Sequence, residues 1–597
     1  MKITNRTMII VFFVIIVLGL LFAFRENLKW RIVAWYLGMP QPQYSVEVER
    51  DIMIPMSDGI NLAADIYRPD AQGPFPVIVT RTPYNKSNPF HKYEFAGRMF
   101  ASQGFVFVVQ DVRGKYKSEG EYYPYINEAS DGFDTIEWAG TRSWSSGKVG
   151  TYGFSYYGST QWLASASGSK YLKAMVPIVT SQNVYPRWIY NGIYRINDIL
   201  VWHYENALRE ARPGENVDWD RAVKHLPLIE ADDVLGEDIP FYNDWIFHPV
   251  PDAYWERISV DDKISRITVP ALLIGGWYDY YLDLMFADFI RMQQEAGSPE
   301  ARRSQIIIGP WTHVTTSKFE DVDFGKQAGF MQQIGTILDW YRYWLKGEAV
   351  YNFSLGPVRI FVMGKNEWRT EKQWPLRRAF NVKFYLHSSG KANSVPDDGL
   401  LSPKIPCNES FDNFVYDPAD PVPSIGGTSI YGSAKPGPCD QREVERRDDV
   451  LVYTSEPLEE DLELTGEAKV VLFASSSAKD TDFSAKLVDV YPDGNAINLK
   501  AAVIRARFRE SLANPVFLEK DKVYQFEINI GAISNVFKAG HKIRLQISSS
   551  NFPEFGRNLN TGAPIGMTSQ MEKAHQRIYH DADQPSYLLV PMILSPN

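Results

Sequence analysis

The stretch Lys148-Val-Gly-Thr-Tyr-Gly-Phe-Ser-Tyr-Tyr-Gly158 decides the fold of this chain. An apolar run from Val149 to Tyr152 leads into a turn bounded by glycines, and residues Gln161 to Ala166 are able to continue as a helix. This order predicts that Ser155 lies on a tight turn between a strand and a helix, which is a nucleophile elbow. The elbow needs small residues on both sides because the serine backbone is strained and strand and helix approach closely.

The pattern G-x-S-x-x-G around Ser155 occurs twice in the chain. Gly427-Thr-Ser-Ile-Tyr-Gly432 repeats it, with Ser429 in the position of the serine. That second copy lies among prolines and glycines with no apolar strand before it, so we interpret it as loop structure. Sequence context therefore selects Ser155 as the candidate nucleophile.

The composition is that of a globular protein with several domains. The chain has 597 residues, 45% of them hydrophobic and 22% charged, and this length implies about two to four domains. A formal net charge of -10 without an extended basic run argues against nucleic acid as a partner. Aromatic residues make up 14% of the chain, a surplus that often lines pockets.

The N-terminus and the cysteines bear on the compartment. Met8 to Phe24 is a nearly unbroken apolar stretch, longer than the core of about 7–15 residues that is usual in a cleaved signal peptide. We therefore predict a membrane anchor over residues 1–31, with a signal peptide as the alternative and the catalytic part on the periplasmic or extracellular side. Cys407 and Cys439 fit either one disulfide in an oxidising compartment or two unpaired thiols.

Residues 45–180 have the pattern of an α/β domain. Val46 to Met56 and Leu62 to Tyr67 alternate apolar and polar residues around a turn, which predicts a hairpin. Apolar runs then alternate with helical stretches, and we predict strands at 76–80, 105–110, 149–152 and 174–179. Runs that are apolar on both faces indicate a parallel sheet covered by helices on both sides. The same pattern resumes over residues 265–350.

Two regions depart from the α/β pattern. Residues 181–264 contain aromatic-rich helical stretches without a buried strand, so we predict an inserted helical cap. From about Pro357 the period changes to two, beginning with the run from Val358 to Met363. Short strands broken by turns predict a β-sandwich or jelly roll over residues 355–597.

A serine hydroxyl reacts only when a base takes its proton, and the base needs a carboxylate to orient it. Two apolar runs downstream of Ser155 end in such groups. Leu272-Leu-Ile-Gly-Gly-Trp-Tyr-Asp279 ends in a carboxylate, and Ile306-Ile-Ile-Gly-Pro-Trp-Thr-His313 ends in a histidine. In α/β-hydrolases the acid and then the histidine follow the serine, each after a sheet strand. We therefore predict Ser155, Asp279 and His313 as catalytic residues, with Asp283 as a rival acid.

The negative charge that forms on the attacked carbonyl oxygen needs at least two hydrogen-bond donors. The backbone N–H of Tyr156, the residue after the serine, is one candidate. The loop after the early strand reads Arg81-Thr-Pro-Tyr84, and the phenol of Tyr84 is either the second donor or a buried structural group. We expect no metal and no cofactor.

Several of these stretches together resemble the cocaine esterase / X-prolyl dipeptidyl-peptidase family of serine hydrolases (CocE/NonD). The resemblance runs from about Val46 to the C-terminus. It rests on the motifs Gly-Phe-Ser155-Tyr-Tyr-Gly, Gly-Trp-Tyr-Asp279, Gly-Pro-Trp-Thr-His313, Arg-Thr-Pro-Tyr84, Asp111-Val-Arg-Gly-Lys-Tyr-Lys-Ser-Glu-Gly120, Val362-Met-Gly-Lys-Asn-Glu-Trp-Arg369 and Ser548-Ser-Ser-Asn-Phe-Pro553.

The resemblance implies an α/β-hydrolase core with an inserted helical cap, followed by a C-terminal jelly roll. It implies Ser155, Asp279 and His313 as the triad and Tyr84 as a donor to the oxyanion. The implied activity is hydrolysis of small-molecule carboxylic esters through an acyl-enzyme intermediate.

Two other functions stay open. An amide acylase or X-prolyl dipeptidyl-peptidase would use the same triad. The α-amino-acid ester hydrolases of this family place carboxylates just after the triad aspartate, and here Tyr280 and Tyr281 stand there instead, which argues against substrates with a free ammonium group. A catalytically inactive, membrane-tethered binding protein is the third function, and the complete set of Ser155, Asp279 and His313 argues against it.

Overall fold

The main sheet is built from strands in the first two thirds of the chain. The computed structural model describes residues 25–594 except 213, 215, 352–355, 395–397 and 432–434. Within these ranges, the strands before residue 372 are β1 (Val46–Pro55), β2 (Asn61–Pro69), β3 (Phe75–Thr82), β4 (Val106–Asp111), β5 (Ser145–Phe154), β6 (Leu172–Ile178), β7 (Ile189–Tyr190), β8 (Ile193–Tyr194), β9 (Leu272–Tyr278), β10 (Gln305–Thr312), β11 (Val358–Val362) and β12 (Glu367–Glu371).

Ten of these strands form one sheet in the order β1-β2-β4-β3-β5-β6-β9-β10-β11-β12. The first two strands are the predicted antiparallel hairpin. From β4 through β11 each neighbouring pair is parallel. The predicted parallel sheet is therefore confirmed.

Helices cover both faces of this sheet. The α-helices of the described residues are α1 (Arg25–Tyr36), α2 (Tyr93–Ser102), α3 (Glu128–Gly140), α4 (Ser155–Ser165), α5 (Tyr185–Trp188), α6 (Ile196–Asn206), α7 (Trp219–Lys224), α8 (Pro240–Phe247), α9 (Ala253–Glu256), α10 (Leu282–Glu295) and α11 (Ile334–Tyr341), of which α5 to α9 belong to the inserted cap. In β4, Val106 and Val108 belong to one buried cluster with α3 and α4, while Phe107 and Val109 belong to another with α2 and α11. The strand is buried on both faces, as its continuous apolar run indicates.

The cap is inserted between β6 and β9. It contains α5 to α9, as predicted, and it also contains the short antiparallel pair β7–β8, which the sequence pattern did not show. Strands of two residues are too short for a periodic pattern. The insertion begins at the carboxyl end of β6, the edge where ligands bind in α/β sheets, and returns to the amino end of β9.

The C-terminal region forms a second, 11-stranded sheet that is mostly antiparallel. This agrees with the predicted jelly roll. Its strands are β13 (Phe380–His387), β14 (Leu400–Ser402), β15 (Asp412–Tyr416), β16 (Leu451–Ser455), β17 (Leu462–Ser476), β18 (Asp482–Val490), β19 (Ala496–Arg505), β20 (Tyr524–Phe537), β21 (Lys542–Ser548), β22 (Ala574–Tyr579) and β23 (Tyr587–Ile593).

One strand lies in a different sheet from the one that the sequence pattern indicates. Val358–Val362, grouped by its pattern with the C-terminal region, pairs in parallel with β10 and extends the main sheet. Periodicity identifies a strand but does not identify its partner.

The predicted membrane anchor, and with it the predicted placement of an anchored catalytic part on the periplasmic or extracellular side, is wrong. Across the described residues, every helix is too short or too polar to cross a bilayer. Helix α1 instead packs on the main domain, where Ala34 is 1% exposed and Leu37 5% exposed. The apolar stretch from Met8 to Phe24 lies outside the described residues.

Both cysteines are free thiols. Cys407 is exposed and Cys439 is half-buried, and burial raises the pKa of the Cys439 thiol to about 11. Of the two alternatives left open by the sequence, the structure has the unpaired thiols.

Candidate active site

Ser155 lies at the junction predicted by its sequence context. Strand β5 ends at Phe154 and helix α4 begins at Ser155. The serine has a φ of 52°, a left-handed conformation that costs energy for a residue with a Cβ. A Cβ on Gly153 would lie 2.4 Å from the carbonyl oxygen of Tyr157, and one on Gly158 would lie 2.5 Å from Thr180 Cγ2. Both glycines therefore permit the close approach of strand and helix.

Ser155, His313 and Asp279 form one hydrogen-bonded chain. His313 Nε2 lies 2.8 Å from Ser155 Oγ, and His313 Nδ1 lies 2.9 Å from Asp279 Oδ2. Asp279 Oδ1 accepts a 2.7 Å hydrogen bond from the backbone N–H of Tyr281. Asp279 is 1% exposed and His313 7% exposed, while Ser155 is half-buried. A buried carboxylate that fixes the imidazole beside an accessible hydroxyl is able to activate that hydroxyl.

The topology explains how distant residues meet. Asp279 directly follows β9 and His313 directly follows β10, and these strands are parallel neighbours. Carboxyl ends of parallel strands lie at the same edge of the sheet. Ser155 follows β5 at that same edge, two strands away.

The rival acid Asp283 has another partner. Its two carboxylate oxygens lie 2.7 Å from Lys500 Nζ, and Asp283 Oδ1 accepts a hydrogen bond from the backbone N–H of Ala532. Lys500 and Ala532 belong to β19 and β20. Asp283 therefore joins the main domain to the C-terminal sheet.

Tyr84 lies beside Ser155 and is held from several sides. Its hydroxyl oxygen accepts a 2.9 Å hydrogen bond from Trp202 Nε1, and its ring stacks on His91 at 4.9 Å between centroids. Burial raises the pKa of the Tyr84 phenol above its ordinary value, and the hydrogen bond from Trp202 opposes part of that rise. The Tyr84 ring also packs edge-on against Tyr156 and Tyr157, the two residues that follow Ser155, at 6.4 and 6.1 Å between centroids.

Tyr156 has a structural side chain. Its hydroxyl donates to Glu128 Oε1 and accepts from the backbone N–H of Tyr125, both at 2.9 Å. Its ring stacks on Tyr125 at 4.4 Å. The backbone N–H of Tyr156 lies in the first turn of α4, where N–H groups have no acceptor within the helix. That N–H is the group that the sequence predicts as an oxyanion donor.

A buried ion pair missed by the sequence analysis lies behind the histidine. Tyr280 stacks on His313 at 4.4 Å, and the Arg187 guanidinium lies 3.3 Å from the centre of the Tyr280 ring. Arg187 is paired with Asp198 at 3.3 Å, and both side chains are 1% exposed. Burial lowers the pKa of Arg187, but Tyr280 and Asp198 outweigh it, so the pKa lies above its ordinary value. These contacts join residues far apart in the chain and leave no local pattern.

Aromatic side chains of the cap enclose the space beside Tyr84. Trp202 lies nearly parallel to Tyr156 and Trp245, with centroids 6.0 and 6.2 Å away. Trp202 also lies 6.4 Å from Tyr125.

No group of His, Cys, Asp and Glu side chains suited to a metal ion occurs within the described ranges.

A strained serine at a strand–helix turn, bonded to a histidine and a buried carboxylate on a parallel sheet, defines a serine hydrolase of the α/β-hydrolase class. Residues 58–315 match the X-Pro dipeptidyl-peptidase (S15 family), and residues 352–589 match the X-Pro dipeptidyl-peptidase C-terminal non-catalytic domain. The chain belongs to this family, the cocaine esterase / X-prolyl dipeptidyl-peptidase family of serine hydrolases.

Of three proteins that the chain is similar to, two are ester hydrolases and one is an aminopeptidase. The chain is 39% identical to the cocaine esterase of Rhodococcus sp. (strain MB1 Bresler), over 92% of this chain and 98% of the relative. An aminopeptidase from a Thaumarchaeota archaeon superposes with a TM-score of 0.81 at 27% identity, covering 92% of this chain and 97% of the other. An α-amino acid ester hydrolase superposes with a TM-score of 0.79 at 26% identity, covering 93% and 98%. The protein is therefore a serine ester hydrolase of the CocE/NonD type, and a small-molecule ester or amide fits as its substrate.

Proposed function

We propose that Ser155 is the nucleophile, His313 the general acid–base and Asp279 the group that orients the histidine. The observation that carries this proposal is the continuous chain of 2.8 and 2.9 Å contacts through the two imidazole nitrogens. Ser155 Oγ attacks the ester carbonyl carbon while His313 Nε2 takes the hydroxyl proton. His313 then gives that proton to the leaving alkoxide, and the acyl group stays on Ser155.

Water completes the cycle in the same geometry. His313 removes a proton from a water molecule, which attacks the acyl-enzyme carbonyl, and then returns the proton to Ser155 Oγ as the acid leaves. Asp279 keeps its charge throughout and stabilises the imidazolium that forms twice per turnover.

We propose the Tyr84 hydroxyl and the Tyr156 backbone N–H as the donors to the oxyanion. Supporting observations are the contacts of the Tyr84 ring with Tyr156 and Tyr157, which follow Ser155 in the chain, and the place of Tyr156 in the first turn of α4. A helix N-terminus adds a favourable dipole for negative charge. Both donors are fixed before reaction by packing, so little reorganisation is needed when charge develops.

The surroundings of Asp279 favour esters over substrates with a free ammonium group. A peptide N-terminus needs an anion beside the site, and the two residues after Asp279 are tyrosines. Behind Tyr280 lies the buried guanidinium of Arg187, whose charge is matched by Asp198. An uncharged acyl group fits the neighbouring aromatic walls better.

The experiment is a comparison of steady-state turnover on three p-nitrophenyl esters, acetate, butyrate and benzoate, and on an X-Pro p-nitroanilide. We expect kcat/KM to be higher for the esters, and Ser155→Ala to remove turnover of all of them. A higher kcat/KM on the X-Pro anilide would instead favour the dipeptidyl-peptidase function that the family description carries. Turnover that survives Ser155→Ala would contradict the proposed nucleophile.

We also propose the division of the chain into a hydrolase domain (residues 45–180 and 265–350), a helical cap (181–264) and a jelly roll (355–597). The two family matches, which end at 315 and begin at 352, support it. Strands β11 and β12 follow residue 355 but pair in the main sheet, so the second sheet begins at β13. Limited proteolysis with mapping of the cut sites tests this division.

A further inference from the structure

We propose that Trp202, which the cap supplies, is a positioning residue that aims the Tyr84 hydroxyl at the oxyanion. This inference rests on the role proposed above for Tyr84 and extends it to a residue outside the main domain. It makes docking of the cap a condition for a complete oxyanion hole.

The first argument is the hydrogen-bonding capacity of a phenol. A tyrosine hydroxyl has one hydrogen to donate and lone pairs that accept, whereas an indole N–H only donates. Trp202 Nε1 lies 2.9 Å from the Tyr84 oxygen, so Tyr84 is the acceptor in this pair. The single hydrogen of Tyr84 is therefore directed away from Trp202 and is free for an acceptor on the Ser155 side.

The second argument is cooperativity. A hydroxyl that accepts a hydrogen bond becomes a stronger donor because its O–H bond is polarised, and the effect is larger where water is excluded. Burial raises the pKa of Tyr84, and the hydrogen bond from Trp202 lowers it. The indole N–H thus offsets part of the loss of acidity that burial imposes on the phenol.

The third argument is rigidity of the donor. Trp202 is 2% exposed, and its ring lies within 19° of parallel to Tyr125, Tyr156 and Trp245. Contacts on the ring faces hold the indole plane, and an N–H lies in that plane. A fixed donor selects one orientation of the hydroxyl that it meets.

The fourth argument is that helix α6, which carries Trp202, is fastened to the main domain at its C-terminus. Lys115 Nζ donates to the carbonyl oxygen of Asn206 at 3.2 Å and also to that of Leu208. Arg209 Nη2 donates to the carbonyl oxygen of Gly120 at 2.9 Å. Lys115 and Gly120 belong to the Asp111–Gly120 motif, which the proposed chemistry otherwise leaves without a role. The motif holds the cap helix in the position that presents Trp202 to Tyr84.

The test is Trp202→Phe, with Trp255→Phe as the matched control. Trp255 also lies in the cap, is 3% exposed and donates its indole N–H at 2.9 Å, but to the backbone carbonyl of His248. Both changes therefore remove one buried indole hydrogen bond of equal length. We expect Trp202→Phe to lower kcat on a p-nitrophenyl ester on the order of tenfold with a smaller change in KM. Trp255→Phe should leave kcat near wild type.

A double-mutant cycle separates this inference from the proposed function. Once Tyr84→Phe has removed the acceptor, adding Trp202→Phe should lower kcat no further, because the two residues act through one hydroxyl. Losses that simply multiply would overturn the positioning role, as would equal effects of Trp202→Phe and Trp255→Phe. If Tyr84→Phe alone leaves kcat unchanged, the role of Tyr84 fails, and this inference fails with it.

A second variant covers a failure of Trp202→Phe to fold. Trp202→His retains a ring N–H while losing similar packing, and thermal melts of all variants report the folded fraction. We expect Trp202→His to keep a higher kcat than Trp202→Phe. If Trp202→Phe does not fold, a folded Trp202→Leu takes its place in this comparison. Equal kcat in the variants with and without a ring N–H would contradict the inference.

Discussion

Two stretches of this chain share the pattern G-x-S-x-x-G and differ in everything around it. Ser155 has a φ of 52° at a strand–helix turn, and its hydroxyl lies 2.8 Å from His313 Nε2. Ser429 does not share that backbone conformation. Its hydroxyl donates to Asp198 Oδ1 at 2.7 Å and accepts from Asn197 Nδ2 at 2.9 Å.

The difference teaches that the partner of a hydroxyl, rather than the pattern around it, decides its chemistry. In the proposed mechanism His313 is a base that releases its proton again to a leaving group, whereas Asp198 forms an ion pair with the buried Arg187. Ser429 is 3% exposed, so substrate does not reach it, and Ser155 is half-buried at the sheet edge. Ser429 therefore joins the cap to the C-terminal region, whereas Ser155 lies at the sheet edge where we propose catalysis.

Replacement of each serine gives the largest expected contrast. Ser155→Ala should lower kcat on the order of 10⁶-fold, because only binding and the oxyanion donors remain. Ser429→Ala should leave kcat unchanged. Steady-state kinetics on one p-nitrophenyl ester compares the two, and comparable losses in both variants would remove the distinction between the stretches.

The next contrast is between two aspartates four residues apart. Asp279→Asn should lower kcat on the order of 10⁴-fold, because the amide no longer stabilises the imidazolium or its tautomer. Asp283→Asn weakens the contact with Lys500. This change should lower the melting temperature and leave kcat near wild type. A larger loss of kcat in Asp283→Asn would make Asp283 the triad acid.

A smaller effect tests the close packing at the turn. Gly153→Ala places a methyl group 2.4 Å from a backbone carbonyl oxygen, and overpacking of this kind costs roughly 1–3 kcal/mol of stability. Gly335→Ala is the control, because its nearest neighbours lie 3.7 Å away within a helical segment. We expect a lower melting temperature and lower kcat for Gly153→Ala alone. Equal melting temperatures would show that the turn is not tightly packed.

The smallest effect is expected for the structural serine. Ser429→Ala removes hydrogen bonds to Asp198 and Asn197, for a net loss of about 1 kcal/mol. The Asp198 carboxylate keeps its ion pair with Arg187, which limits the penalty. A thermal melt measures the change, and an unchanged melting temperature would mean that these two bonds do not stabilise the contact between cap and jelly roll.

Much of the fold follows from local patterns. Runs that are apolar on both faces identify the parallel strands, and the ends of β5, β9 and β10 must then meet at one edge. That is why Ser155, Asp279 and His313 were predictable as neighbours from residues widely separated in the chain. The glycines beside Ser155 carry the signal for the turn.

The rest of the fold and of the site depends on contacts between segments that are distant in the sequence, and no local pattern indicates these contacts. The pairing of β11 with β10, the Arg187–Asp198 ion pair and the bond from Trp202 to Tyr84 each join distant segments. The membrane anchor was predicted from the composition of Met8 to Phe24, which lies outside the described residues, and helix α1, which follows that stretch, packs on the hydrolase domain.

The central claim is that one of two equivalent patterns holds an activated serine. Labelling of the wild-type protein with a fluorophosphonate, followed by mass spectrometry of its peptides, tests this most directly because only an activated hydroxyl displaces fluoride. We predict one phosphonylated residue, Ser155, and no modification of Ser429. Label on Ser429, or an unlabelled Ser155 in protein that turns over esters, would contradict the account.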